Sequence, residues 1–322
     1  MAKDLPFAWK AEYQGNVSYL IGTMHYPSEP DKLSALHQLI DASKTVYVEK
    51  GSDFTLPKRA EYRRLRDGRS TLFNRSERNK VESYIRQQLQ DDFSEEIIAS
   101  YLSNFYTRKS WSMFDEISSL VNDPLGFKHQ IASDRRTAIE EATKKEIIKN
   151  SGGPIPKSLS TEYAAMGNIM NHAATTENEK DNIIDLQLMS YALSQEKVIR
   201  SLDEGQSTVE IEDSIPESVW KKLIWWQIDP GDRNTGLVEM DEADYWRGDI
   251  DYFKDAFAEL DEDMRMFNDA ICDGRNNLWY PKVLDDLKQG DKLIAVGLNH
   301  LISETGFTHR LPQDGFSVTR ID

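Results

Sequence analysis

Cysteine is almost missing from this sequence: Cys272 is the only one in 322 residues. That excludes an intramolecular disulfide, a thiolate zinc site and a redox pair, and it fits a reducing compartment. Long apolar runs are missing too, with no window near the ~20 apolar residues of a membrane span. The N-terminus "MAKDLPFAWKAEYQG" has no positive segment followed by an apolar one, so the chain reads as a soluble, cytoplasmic protein without a recognisable export signal. Positive charge is in short supply, with 39 Lys and Arg against 55 Asp and Glu and a formal net charge of −16. Phosphate neutralisation needs clustered Lys and Arg, so no nucleic-acid or anionic-membrane partner is expected. The sequence holds no H-E-x-x-H, G-x-S-x-G, P-loop or G-x-G-x-x-G, and no nucleotide, flavin or haem motif. Serine hydrolysis has no local support, and Cys272 has no histidine near it in sequence.

What is present is enough apolar content, 39%, for one elaborated domain or two closely packed ones. Residues 18–23 form an apolar run ending in Gly-Thr, and "TVYVE" at 45–49 alternates; both predict strands. Between them Leu33, Leu36, Leu39 and Ile40 fall at helical spacing, giving a strand, helix, strand unit. "KLIAVG" and "FSVTR" flank a helix-compatible segment over 292–320, repeating that layout at the other end of the chain. "EKVIRSLDE" at 196–204 holds one more short strand. The middle changes character: 80–150 and 161–193 are rich in helix formers, separated by a loop at 151–160. Trp220, Trp225 and Trp226 precede the turn signal "DPGDRNTG". Phe253, Phe257, Leu260, Met264, Phe267 and Ile271 then recur at spacings of 4 and 3, which predicts one long amphipathic helix. The expected fold class is α/β, a small mixed sheet built from N- and C-terminal strand-helix-strand units with a large helical insertion between them.

Charge is uneven along the chain. Residues 58–80 hold nine basic residues against three acidic ones, whereas 229–273 hold fifteen acidic against four basic. Two solvated faces that attract each other account for this, as does a basic rim that selects carboxylate-bearing substrates.

Two stretches carry chemistry. In "SYLIGTMHYPSEP" and "KLIAVGLNHL" a strand ends in glycine and a histidine follows three residues later, giving Gly22 with His25 and Gly297 with His300. Ligand sites of α/β sheets lie at the carboxyl ends of strands, where glycine permits a close turn and an imidazole can enter the crevice. One such pattern is as easily a turn residue; two, some 270 residues apart, converge if both strands share a sheet. Glu49 ends the intervening strand. His25, His300 and Glu49 form a ligand set for a divalent metal and equally a metal-free acid/base cluster. Arg275, in "DGRNNLW", follows the long helix and can hold a carboxylate, the substrate's or that of Glu49.

The blocks "YLIGTMHYPSEPDKLSALHQLIDASKTVYVEKG", "LRDGRSTLFNRSERNKVESYI", "RNNLWYPKVLDDL" and "KLIAVGLNHLISETGFTHRLPQDGFSVTRI" resemble, in order, those of the TraB/GumN family, relatives of the TIKI proteases. The resemblance implies a single domain over 1–322 with a fold related to erythromycin esterases, in which 58–195 is a mostly helical insertion capping the substrate side. It also implies a metal-dependent hydrolase, often a peptidase, using Mn, Zn or Co. By position His25, Glu49 and His300 match metal-binding and catalytic places, Arg275 and Asn276 the Arg-Asn pair, and Gly22 and Gly297 the motif glycines. Tyr26, after the first histidine, and Ser303 depart from the family pattern at the rim, where Tyr26 joins Arg275 as a candidate substrate contact. Asp203 stands in the acidic place of a Leu-Glu segment. The partner is then a peptide or small molecule; a non-catalytic sequestering protein and a metal-free esterase are the alternatives. Oligomeric state is left open.

Overall fold

The computed structural model describes residues 5–24, 33–50, 70–149, 166, 184–229 and 242–321. Six strands form one sheet in the order β4-β3-β5-β2-β1-β6: β1 Ala8–Tyr13, β2 Asn16–Thr23, β3 Thr45–Val48, β4 Val198–Ser201, β5 Lys292–Gly297 and β6 Ser317–Ile321. β4, β3, β5 and β2 run parallel, and β1 pairs antiparallel with both β2 and β6. The strands expected at both ends of the chain therefore share one mixed sheet, with the helical insertion between them.

The central parallel strands β3 and β5 are buried on both faces, which is why Val46, Tyr47 and Val48 are all buried despite alternating directions, whereas the edge strand β4 is partly exposed. Sequence reading missed β1. Its hairpin to β2 turns through Gln14 and Gly15, both at positive φ, and Tyr13 pairs with Asn16. That two-residue turn matches the right-handed twist of the strands, and Gly15 takes its positive φ at no steric cost.

One expectation is corrected. The stripe from Phe253 to Ile271 is not one helix but two, Ile250–Ala258 and Glu262–Asn268, followed by a π-helical turn Asp269–Asp273 and the helix Gly274–Gln289. The break occurs because the Asp261 carboxylate accepts the Met264 N–H at 3.0 Å and caps a new helix. Spacing of 3 and 4 survives such a break, so periodicity could not see it.

Two compact units divide the chain. The first comprises Met1–Tyr62, Glu179–Val219 and Arg233–Asp322 and contains the sheet. Its core packs Leu20, Ile21, Leu293, Ile294 and Val296 from the strands with Leu36, Ile40, Trp279, Val283 and Leu287 from the helices Ser34–Asp41 and Gly274–Gln289. The second comprises Arg63–Asn178 and Trp220–Asp232. It is helical where described, with Arg75–Leu89, Glu95–Phe105, Ser110–Asn122 and Pro124–Lys149, and its own core of Val81, Ile85, Leu89, Ile98, Phe105, Met113 and Ile117. The spacing of Val81, Ile85 and Leu89 puts one face of the first helix inside. Among the described residues no helix is long and apolar enough to cross a membrane. The loop at 151–160 and the turn after Asp229 lie outside the described residues, as do 58–69 of the basic segment.

Candidate functional site

The four parallel strands end at one edge of the sheet. β2 stops at Thr23 beside Gly297 of β5, and β3 stops at Val48 beside Ala295 and Ser201. The residues that follow gather around a cavity of about 440 Å³, lined by Thr23, Met24, Glu49, Phe253, Phe257, Asn268, Ile271, Cys272, Arg275, Gly297, Leu298, Asn299 and His300. This is where an α/β sheet places a ligand, because strand ends diverge and loops supply side chains.

Glu49 leaves β3 and is fixed from both ends. Its backbone carbonyl accepts from Ser201 Oγ and Asp203 N at 3.0 Å each, tying β3 to the β4 exit. Its carboxylate accepts the Gly297 N–H through Oε1 and Arg275 Nη2–H through Oε2, both at 2.8 Å. Gly297 has φ −49°, open to any residue, so glycine is needed for approach and not for conformation. A Cβ there would sit 3.2 Å from Glu49 Oε1. Gly22 has the same kind of role: a Cβ would lie 2.7 Å from Leu298 Cδ1 and 3.2 Å from both Leu298 Cα and Phe7 Cβ.

His300 sits in the short helix Leu298–Ile302 and is buried, 4.5 Å ring to ring from Trp279. Its Nδ1 is 3.0 Å from Asn276 Oδ1. The Asn276 Nδ2 side faces acceptors, with the His300 carbonyl at 3.2 Å, Thr305 Oγ1 at 3.3 Å and Ser303 Oγ at 3.4 Å. That orients the amide, so Oδ1 accepts and His300 carries its proton on Nδ1. Nε2 is then the basic nitrogen, 3.8 Å from Glu49 Oε1.

Arg275 is buried and forked onto Asp203, with Nε to Oδ1 at 3.1 Å and Nη2 to Oδ2 at 2.6 Å, while the same Nη2 reaches Glu49. Burial works against the guanidinium charge, but the Glu49 and Asp203 carboxylates prevail and hold its pKa above the ordinary value. Asp203 also accepts the Trp279 indole N–H at 3.0 Å, and the guanidinium stacks 4.5 Å from that ring. Two carboxylates thus hold one guanidinium; Glu49 and Arg275 meet on the cavity floor, while the buried Asp203 is not part of its lining.

Cys272 is the residue that sequence reading set aside. It lies in the π-helical turn, 3.6 Å from His300 Nδ1 and 3.8 Å from Ser303 Oγ. Burial pushes its thiol up to about 12, so at neutral pH it is a protonated packing group and not a thiolate nucleophile. Its 28-residue separation from His300 hid the contact. Asp203, named from the resemblance, stands two residues beyond β4, near where Glu49 leaves β3. Asn268 and Asn299 had no legible signal.

The structure thus brings Glu49, Arg275, Asn276, Gly297 and His300 together. His25 and Tyr26 lie outside the described residues. Among the described residues no three His, Cys, Asp or Glu side chains make a metal-binding group. Comparison with curated proteins and with solved structures returns no match. A family model described as TraB/PrgY/gumN matches residues 7–320, nearly the whole sequence. The chain therefore belongs to the TraB/PrgY/gumN family.

Proposed function

We propose that the protein is a metal-assisted hydrolase acting on peptide or related amide and ester bonds, with His300 and Glu49 at its centre. The observation that carries this is the 3.8 Å between His300 Nε2 and Glu49 Oε1 at the edge of the cavity. The gap is longer than a hydrogen bond and shorter than twice a metal–ligand distance of about 2.1 Å, so a basic nitrogen and a carboxylate oxygen suit a shared divalent ion. His25 would complete the set; the strand leading to it ends at Thr23, paired with Gly297. A bound Mn²⁺, Zn²⁺ or Co²⁺ would supply Lewis-acid polarisation.

The chain's own residues do the rest. Asn276 holds the His300 ring in its Nδ1–H form, as outer partners of ligating histidines do. Gly297 N–H and Arg275 orient the Glu49 carboxylate, which serves as a metal ligand or, in the metal-free form, as the general base that takes the proton of an attacking water and returns it to the leaving group. Arg275 and Asn276 spend these hydrogen bonds inside the protein, so we assign them positioning roles. The same fact favours a second reading, a pocket that sequesters a peptide without cutting it.

Equilibration with Mn²⁺, Zn²⁺ or Co²⁺, removal of excess and elemental analysis, followed by incubation with a diverse peptide library, tests the proposal. Metal retention and turnover, both lost in His300→Ala, with turnover lost in Glu49→Gln, are expected. No retention, and turnover unaffected by either variant, overturns it. Peptide recovered intact after long incubation, with affinity lost in His300→Ala, establishes the sequestering reading instead. Turnover insensitive to chelators identifies the metal-free form.

A further inference from the structure

Asn268 closes the helix Glu262–Asn268, and Asn299 directly precedes His300; both are half-buried and both line the cavity. Asn299 Nδ2 donates to Asn268 Oδ1 at 2.5 Å, and this is the hydrogen bond their side chains make among the described residues. Two primary amides sharing one hydrogen bond leave an N–H donor on one and a C=O acceptor on the other, whichever way round the amides are assigned. The pair therefore offers a donor and an acceptor side by side, next to His300.

A single carboxylate, phosphate or ammonium satisfies only half of such a pair. The backbone of one extended peptide residue satisfies both, because its own N–H and C=O point to the same side, as in a hydrogen-bonded pair of antiparallel strands. In that conformation the neighbouring side chains point the other way from the one clamped. Phe253, Phe257, Ile271 and Leu298 supply an apolar wall to the same cavity. We infer that the cavity binds substrate as an extended peptide strand, with Asn268 and Asn299 clamping the backbone of one residue and the Phe253–Phe257 wall receiving an apolar or aromatic side chain from its neighbour. The inference deepens the hydrolase reading, resting on it for the occupant being a peptide.

The test uses the full-length protein and capped hexapeptides in which one Phe is scanned through a Gly/Ala/Ser background, each also made with single backbone N-methylations. Binding is read by fluorescence anisotropy and cleavage by mass spectrometry. One Phe position is expected to bind best, and N-methylation at one neighbouring residue to weaken binding about tenfold, the worth of one backbone hydrogen bond to a shielded site. In Asn268→Ala and Asn299→Ala binding falls by a similar factor and that N-methylation costs nothing further, while circular dichroism shows both variants folded. A penalty that persists unchanged in both variants overturns the inference, as does the absence of any positional penalty or of binding. The expected pattern on peptides that stay intact upholds the clamp and removes the hydrolase reading. Cleavage indifferent to both asparagines does the reverse.

Discussion

Asn276 sets which nitrogen of His300 is basic, so replacing it separates positioning from packing. Asn276→Leu removes the acceptor for Nδ1–H and is expected to lower metal affinity and turnover by about 10- to 100-fold. Asn276→Asp keeps an acceptor and should retain most activity. Its carboxylate favours the imidazolium, so the acid limb of the pH–rate profile moves to higher pH. Equal losses in both variants, with an unmoved profile, would reduce Asn276 to a packing residue. Gly297→Ala places a methyl 3.2 Å from Glu49 Oε1 without backbone strain, so turnover should fall while the thermal midpoint stays nearly fixed. Cys272 makes a different prediction. Its unfolded thiol ionises near the ordinary 9.0 and its folded thiol near 12, so in that window the native state holds a proton the unfolded state has lost. Stability contributed by this group is complete below pH 9 and declines as pH rises, by up to about 1.4 kcal/mol per unit. Denaturant titrations at pH 8 to 10.5 should show a steeper decline in the wild type than in Cys272→Ala, and native protein at pH 8 should resist thiol reagents until unfolded.

At the scale of elements, local signals explain what could be read ahead of the structure and what could not. β2, β3 and β5 announce themselves as apolar runs because a parallel sheet buries both faces. β1 mixes charged and apolar residues, as Lys10 and Glu12 show, and only the Gln14-Gly15 turn marks it. The break at Asp261 was invisible because apolar spacing runs through it, while the competing hydrogen bond comes from one side chain. The convergence of Glu49, Arg275 and His300 rests on strand order, which places β5 beside both β3 and β2; two glycine-histidine patterns hinted at it, but no spacing could place Asn268 against Asn299. Caps also govern the second unit. Asn74 accepts the Glu77 N–H at 3.0 Å, and Glu77 returns a bond to the Asn74 N–H at 2.8 Å while pairing with Lys221 at 2.7 Å. Asn74→Ala should cost about 1 kcal/mol by chemical denaturation. The Lys221 hydrogen bond, then the Asn74 backbone, hold the Glu77 carboxyl below its ordinary value. That contribution is present above the ordinary carboxylate pKa and fades as pH falls through the lowered one, so the stability lost in Glu77→Ala should shrink in acid, whereas that lost in Asn74→Ala, which removes only the side-chain acceptor of the Glu77 N–H, should not. An Asn74→Ala difference that persists undiminished at pH 2.5 would separate the cap from the ion pair.

The whole molecule carries a formal charge of −16, and at the cavity floor Glu49 meets Arg275, whose guanidinium is also paired with the buried Asp203. Both act on whatever approaches from solution: the net charge sets a long-range negative potential, and the floor adds a local excess of the same sign. Cationic peptides should therefore associate faster than anionic ones of equal apolar content, and the gap should narrow with salt, because the Debye length falls to about 10 Å at 0.1 M. Stopped-flow association of two labelled Phe-containing peptides, flanked by Lys or by Glu, gives the measurement. At about 10 mM salt the Lys peptide should lead by roughly tenfold or more, and at about 0.5 M the rates should meet. Loading the protein with Mn²⁺ separates the two sources of charge. An ion at Glu49 and His300 alters the local field by two charges and leaves most of the −16 in place, so the association gap should survive loading while dissociation of the Glu peptide slows. Rates equal at low salt would show that the acidic surface is turned away from the cavity mouth. A gap abolished by Mn²⁺ alone would place the steering entirely at the floor. Duplex DNA, repelled by the same field, should give no mobility shift at 0.15 M salt.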